Sequence, residues 1–234
     1  MKALLVLPRF GFVLSGLIMC VLSFMFWDIP LQNSFFEPEA KKWWINGSEP
    51  VIRFFFYHIP KTFYGLSIAF FILKALFSKR GTKELTCAVM LILSPVLVSL
   101  FKIATGIECP KDLLHFGGHQ VEMGFFDAML QGSGRCFPGG HVSAGFGLFA
   151  ILSYVEKKNR FLCFLGITIL GHAMGFYQIA RGYHFISHNL ATMSISYTLY
   201  LLNERFLNRF EDQLDNYLMM VKESFSRVRL SKSL

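Results

Sequence analysis

The chain has 234 residues, 53% hydrophobic and only 16% charged, with 27 Phe. A soluble domain of this size carries about 25% charged residues, and here the apolar residues gather into runs approaching the ~20 needed to cross a ~30 Å hydrocarbon layer, which excludes an ordinary water-soluble fold. The net charge of +8 sits in short loops and the tail, where Lys and Arg set topology and meet anionic lipid; with no basic and aromatic groove pattern, it gives no ground for nucleic-acid binding.

Six apolar runs follow in chain order. The first, 10–27, is preceded by Lys2 and Arg9. It is long for a signal peptide and has no small-x-small cleavage site before Asp28, so it reads as a retained helix. The second covers about 62–77, and the apolar stretch 52–59 allows an earlier start. The third spans about 85–103. The fourth, 142–155, is short and is expected to recruit the preceding Gly139-Gly140-His141. The fifth covers 161–179 and the sixth about 185–202. No repeat or linker divides the chain, so a single integral-membrane domain over 1–234 is expected, an all-α bundle of six transmembrane helices.

Charge sets the expected topology. Lys2 and Arg9 precede the first helix. Lys74, Lys79, Arg80 and Lys83 surround the second turn, and Lys157, Lys158 and Arg160 fill the fourth. Arg205, Arg209, Lys222, Arg227, Arg229 and Lys232 lie in the tail. Six crossings put these segments on one side, the cytoplasm, with both termini. The outer loops are 28–51, 106–138 and the turn around Arg181. Trp27, Trp43 and Trp44 fall on the outer side, as an interfacial belt requires. From 204 to 221, Phe206, Leu207, Phe210, Leu214, Tyr217, Leu218 and Val221 recur at helical spacing. This predicts an amphipathic cytoplasmic helix lying along the membrane surface or under the bundle.

Of five Cys, Cys20, Cys87 and Cys163 lie in apolar runs and read as core residues. Cys109 and Cys136 share one polar loop, and a disulfide between them is possible in an oxidising compartment.

Ionisable residues are costly near a membrane core and mark function. Three clusters fall near the outer ends of helices. The first runs from Lys102 to Asp112 and contains Cys109-Pro110; taken alone, Lys102 also fits a lysine snorkelling to the interface. The second is Arg135-Cys136-Phe137-Pro138-Gly139-Gly140-His141. Glycines let backbone approach an anion, and His141 could protonate a leaving oxygen, although an ordinary Pro-Gly turn reads the same way. The third is Gln178-Ile-Ala-Arg181-Gly-Tyr-His184-Phe-Ile-Ser-His188-Asn189. In a helix His184 and His188 share a face. His-x3-His also occurs in metal sites, but Phe185 stands where the metalloprotease Glu would be; adding His141 would complete a three-His set.

Together the clusters resemble the three signature blocks of the type-2 phosphatidic acid phosphatase superfamily: Lys-x6-Arg-Pro, Pro-Ser-Gly-His and Ser-Arg-x5-His-x3-Asp. Here they read Lys102-x6-Cys109-Pro110, Pro138-Gly139-Gly140-His141 and His184-x3-His188. The signature region covers about 102–192, with the tail at about 204–234. Cys109 and Gln178 stand where the family has Arg, Gly139 where it has Ser, and His188 where it has Asp. Arg135 and Arg181 are neighbouring positions from which positive charge could be restored. An alternative register makes His188 the motif His; His184 is preferred because His-Phe-Ile-Ser is similar to the usual run after the family His. Among bacterial members the chain resembles lipid A phosphatases and general lipid phosphatases.

The resemblance implies a bacterial inner-membrane lipid phosphatase with its site facing the periplasm. His184 would attack phosphorus and form a phosphohistidine. His141 would protonate the leaving alkoxide, and Lys102, Arg181, Gly140 and Arg135 would bind phosphate. His188 would orient His184, with support from Asp112 or Asn189. Neither metal nor cofactor is expected, and no obligate protein partner; the partners are the lipid phosphate substrate and membrane lipids. A lipid-to-lipid phosphotransferase and a non-catalytic anionic-lipid binder or transporter are the alternatives.

Overall fold

The computed structural model describes residues 7–45 and 49–231, with side chains over 10–45 and 49–224. Lys2 and Lys232, and the side chains of Arg9, Arg227 and Arg229, lie outside the described residues. The first rod is α1 (Leu7–Leu22), a π-type stretch (Ser23–Trp27) and α2 (Asp28–Asn33). A short antiparallel hairpin, β1 (Phe36–Glu37) and β2 (Lys42–Trp43), sets Phe36 opposite Trp43. The second rod is α3 (Pro50–Arg53), another π-type stretch (Phe54–His58) and α4 (Ile59–Phe77). Both wide turns come just before a proline. Pro30 and Pro60 have no N–H for the carbonyl four residues back, and pairing lengthens to five residues, Asp28 N–H to Ser23 and Ile59 N–H to Phe54.

Then follow α5 (Thr82–Thr105), α6 (Phe125–Gln131), α7 (Ser143–Phe146) with a 3-10 continuation (Gly147–Ser153), α8 (Arg160–Ile179) and α9 (Ile186–Ser231). Gly106 ends α5 in the left-handed conformation, φ 62°, which glycine adopts without steric cost. Among the described residues, four stretches are long and apolar enough to cross a membrane: Phe10–Asn33, Pro50–Phe77, Thr82–Asp112 and Lys157–Ile179.

The α9 helix is the axis of the bundle, packed against α1, α5, α7 with its continuation, and α8. Its buried residues are unusually polar: Ser187, His188, Asn189, Thr192, Ser194, Ser196 and Asn203. Ser196 bonds Ser94 on α5 at 2.9 Å, and Asn203 bonds Ser153 at 3.1 Å. The outer faces of the surrounding helices expose Leu14, Leu17, Phe63, Leu66, Phe70 and Leu100. Polar groups inside and large apolar ones outside suit hydrocarbon as the solvent.

Two expectations change. The fourth apolar run does not recruit 139–141, which form a turn. Helical structure covers only Ser143–Ser153, tightly enclosed: a Cβ on Gly145 would stand 2.7 Å from Gly171 Cα, and one on Gly147 2.4 Å from the Tyr64 hydroxyl. Close approach, rather than length, sets this element. The tail helix is not a separate surface element either. It continues α9, whose 46 residues reach roughly 70 Å at 1.5 Å per residue, well beyond the hydrocarbon thickness. Its lower part packs under the α4–α5 turn, where Asp215 accepts from Thr82 N–H at 3.1 Å and Lys222 donates to the Ala75 and Ser78 carbonyls at 2.8 and 2.7 Å. Lys83 pairs with Glu211 at 3.2 Å, and Arg160 pairs with Glu204. The basic turns before α5 and α8 therefore lie at one end of the bundle.

At the other end, Asp28 fixes the start of α9. Its buried carboxylate accepts from Ser23 Oγ at 2.7 Å, from Ser187 N–H at 3.1 Å and from the Ser187 hydroxyl. Removing it would strand three donors, and charge-assisted bonds are worth about 1.5–3 kcal/mol each. Asp28→Ala is expected to lower the unfolding temperature of the purified protein markedly, and an unchanged melting curve would contradict this role.

Candidate active site

The three sequence clusters meet at the end of the bundle where α9 begins. The 132–138 segment lies along the end of α5 and its following turn. Gly134 N–H donates to Gly106 O at 3.0 Å, Cys136 N–H to Ile107 O at 2.9 Å, and Thr105 Oγ1 to Phe137 O at 2.6 Å. A disulfide joins Cys109 to Cys136. The next turn is tied to α9, with Gly139 N–H donating to His188 O at 3.0 Å and Thr192 Oγ1 to Gly139 O at 3.0 Å. A Cβ on Gly139 would stand 3.0 Å from Val142 Cγ2 and 3.2 Å from Asn189 Oδ1, so the serine of the family pattern would crowd this turn. Gly140 lies against Lys102, where an added Cβ would be 2.9 Å from Cε.

His184, His188 and His141 converge. Nδ1 of His184 lies 3.3 Å from Nδ1 of His188, and the Cys136 backbone carbonyl favours the protonated form of each ring. A proton on His184 Nδ1 directed to either partner leaves Nε2 with a free lone pair. Nε2 is buried and has no hydrogen-bond partner. The His141 ring centre is 5.7 Å from that of His184. Burial first, then the charges of His188, Lys102 and His141, hold His184 well below the usual imidazole value, so it is a neutral base at pH 7. His141 is lowered to about 4 by burial and then by Lys61, Lys102, Arg181 and Arg53.

Two imidazoles and the Cys136 sulfur also come close enough to suggest a metal. That sulfur is in the disulfide, however, and lacks the thiolate charge that binds metal. His184 and His188 alone make half of a four-ligand set.

A family profile for the PAP2 superfamily matches residues 83–210, more than half of the chain. The chain belongs to the PAP2 superfamily. Comparisons with curated protein sequences and with solved structures returned no match. PAP2 superfamily members are generally phosphatases, which makes this chain a phosphatase or phosphotransferase acting on phosphate esters.

Other expected site residues are placed unevenly. Lys102 donates to the Arg135 carbonyl at 3.0 Å, while the Arg135 side chain is exposed. Asp112 pairs with Lys111 at 3.3 Å and accepts through its backbone from His119 and Gln120 at 2.9 and 2.8 Å, rather than reaching the histidines. Asn189 is directed at Gly139 and Gly175. Arg181 stacks over Tyr177 and Tyr183, 4.9 and 4.6 Å from the ring centres.

Three residues at the site were not singled out in the sequence. Arg53, Tyr57 and Lys61 recur every four residues along the α3–α4 rod, outside the PAP2 match. Tyr57 lies 5.2 Å from His141, ring to ring. Lys61 Nζ donates to the Tyr57 hydroxyl at 2.9 Å, and the Arg53 guanidinium is 5.4 Å from its ring centre. Their i, i+4, i+8 spacing within an otherwise apolar segment was the available signal. Arg53→Gln with Lys61→Gln is expected to lower kcat/KM for a phosphate ester about tenfold or more, on the scale of lost charge-assisted bonds, without moving the melting temperature. Unchanged kinetics would remove both residues from the site.

Proposed function

We propose that this single-domain PAP2 protein is a membrane lipid phosphatase, hydrolysing a phosphate monoester or diphosphate of a lipid A, undecaprenyl diphosphate or phospholipid type through a phosphohistidine on His184. The observation that carries this reading is the unpartnered, buried Nε2 of His184, backed by His188 and faced by His141. A neutral imidazole whose far nitrogen is engaged keeps the lone pair on its other nitrogen free for attack on phosphorus.

His184 Nε2 forms a bond to phosphorus while the bond to the departing oxygen breaks. His141 delivers a proton to that oxygen. Lys102 and Arg181 offset phosphate charge with Gly140 beside them, and Arg53 and Lys61 add charge near His141. In the second step water attacks phosphorus, His141 takes its proton, and the nitrogen–phosphorus bond breaks to release phosphate and restore His184.

The proposed setting is a bacterial inner membrane crossed six times. The Ser143–Ser153 element and the first part of α9 complete the crossings made by the four long spans. The termini and the basic turns would be cytoplasmic, and the histidines would face the periplasm. The gathering of the basic turns at the end opposite the histidines supports this orientation.

Phosphate release from a panel of lipid phosphates by purified protein tests the function. His184→Ala and His141→Ala are each expected to abolish release while the protein still inserts; normal turnover by His184→Ala would overturn the nucleophile. His188→Asp is expected to retain activity, and a folded but inactive variant would count against the register.

The pH dependence follows from the acid. In the free protein His141 is neutral well above its value of about 4, and its reactive, protonated fraction grows up to tenfold for each unit of acidification until that value is reached. His184, held well below the ordinary value, stays neutral over the same window. We therefore expect kcat/KM to rise by about tenfold or more from pH 7.5 to pH 5.5. A profile that falls over this range would contradict the assignment of the acid.

A further inference from the structure

We propose that the cavity bounded by Lys41, Lys42, Lys111 and Arg181 binds a second phosphate group, beside but separate from the one that His184 attacks. The inference rests on the proposed active site through Arg181, which the two sites share. The cavity has a volume of about 300 Å³ and is completed by Trp43, Ile45 and Tyr183. Among the described residues, four cations and no carboxylate line it. A liquid water takes ~30 Å³, so a phosphate and several waters fit.

The surroundings hold the cavity in shape. Ile45 N–H donates to Ala180 O at 3.1 Å, and Lys111 N–H donates to Gly182 O at 2.9 Å. Three chain segments, the hairpin, the turn after Cys109 and the turn before His184, are thereby joined through backbone. Gly182, at φ 71°, leaves the space into which the Trp43 ring packs; an added Cβ would stand 2.3 Å from that ring. Trp43 is backed by Phe36 and Phe116 at 4.8 and 5.3 Å between ring centres. Lys111 and Arg181 both stand over Tyr183, at 4.9 and 4.6 Å. One ring thus orders two of the four cations.

Like charges gathered in a concave wall focus positive potential and attract an anion. A guanidinium with ammonium groups around it suits phosphate oxygens. Lys111 has a carboxylate neighbour, Asp112 at 3.3 Å, but Asp112 does not line the cavity, so net positive charge remains. Arg181 also contributes to the field at His141, so both phosphate positions would draw on one guanidinium. Lys41 and Lys42 precede the PAP2 match at 83–210, so part of this second position lies outside the matched region. The ligand is a phosphate held near the membrane surface. It comes either from a substrate carrying a second phosphate or from a neighbouring anionic phospholipid.

The test compares the full-length parent protein with a Lys41→Gln, Lys42→Gln, Lys111→Gln variant in phosphatidylcholine vesicles. The substrates are a lipid with two separated phosphates and its monophosphorylated counterpart, each with and without added phosphatidylglycerol. A loss of about tenfold or more in kcat/KM confined to the two-phosphate lipid supports the substrate's own second phosphate. Loss of phosphatidylglycerol stimulation on the monophosphorylated lipid supports a bulk-lipid source. Equal loss on both substrates without a phosphatidylglycerol effect, or no loss, overturns the proposal. The corresponding triple Lys→Arg variant keeps the charge and is expected to behave as the parent. Orthophosphate titration of His184→Ala protein, followed by phosphorus NMR, separates the two levels of inference. If no lipid is hydrolysed, the phosphatase reading fails, and the cavity then stands or falls on whether the three Lys→Gln changes weaken orthophosphate binding in that background.

Discussion

The site depends on where the first turn of α9 is held. Ser187, between the two histidines of that turn, is clamped by Asp28 from the first rod, and its carbonyl accepts from Cys20 Sγ at 3.3 Å. From the other side the Gly139 amide donates to His188 O. These bonds are made where water is scarce, so a lost partner is not readily replaced. Two elements far apart in sequence thereby fix the rotation of one helical turn, and that rotation sets both imidazoles.

The same constraint explains how the chain departs from the family pattern without emptying its site of charge. Cys109 stands where the resemblance puts an arginine, and it bonds Cys136, whose backbone carbonyl acts on both histidines. The disulfide makes this position a tether for the segment that packs against the proposed nucleophile. Gln178 takes the other arginine position and is almost wholly buried. Its backbone carbonyl accepts from Tyr183 N–H at 2.9 Å, shaping the turn that carries Arg181. Positive charge then reaches His141 from Arg53, Lys61 and Arg181 as well as Lys102. Two of these four lie on the α3–α4 rod, before the region in which the signature blocks occur.

This pattern also explains what could be read in sequence. The long apolar spans were legible because their outer faces meet lipid and need an unbroken run. The axis helix was harder to bound: its first turns carry Ser, His, Asn and Thr because neighbouring helices, not lipid, surround it. Helical spacing over 204–221 signalled a helix past residue 203, but its docking through Asp215 and Lys222 is encoded by no local pattern. The pair His184 and His188 was legible from four-residue spacing, and His141 from the motif it completes. Arg53, Tyr57 and Lys61 were hidden in a segment that reads first as a membrane entry, and Asp28 as a loop acid. Their roles depend on packing across more than 80 residues of chain, which spacing cannot supply.

Replacing the usual aspartate with His188 has a consequence for the proposed two-step reaction. When His184 bonds to phosphorus its ring becomes cationic. An aspartate beside it would stabilise that charge by Coulomb attraction. A neutral His188 offers only a hydrogen-bond partner, and Lys102 lies close enough to raise the cost further. The phosphorylated ring is therefore a less stable intermediate and a better leaving group. Its formation becomes the harder step and its hydrolysis the easier one. Additional cations around the bound phosphate act in the compensating direction, because they lower the cost of bringing the dianion to the nucleophile. Charge removed from beneath the attacking ring is thus balanced by charge placed around the group under attack.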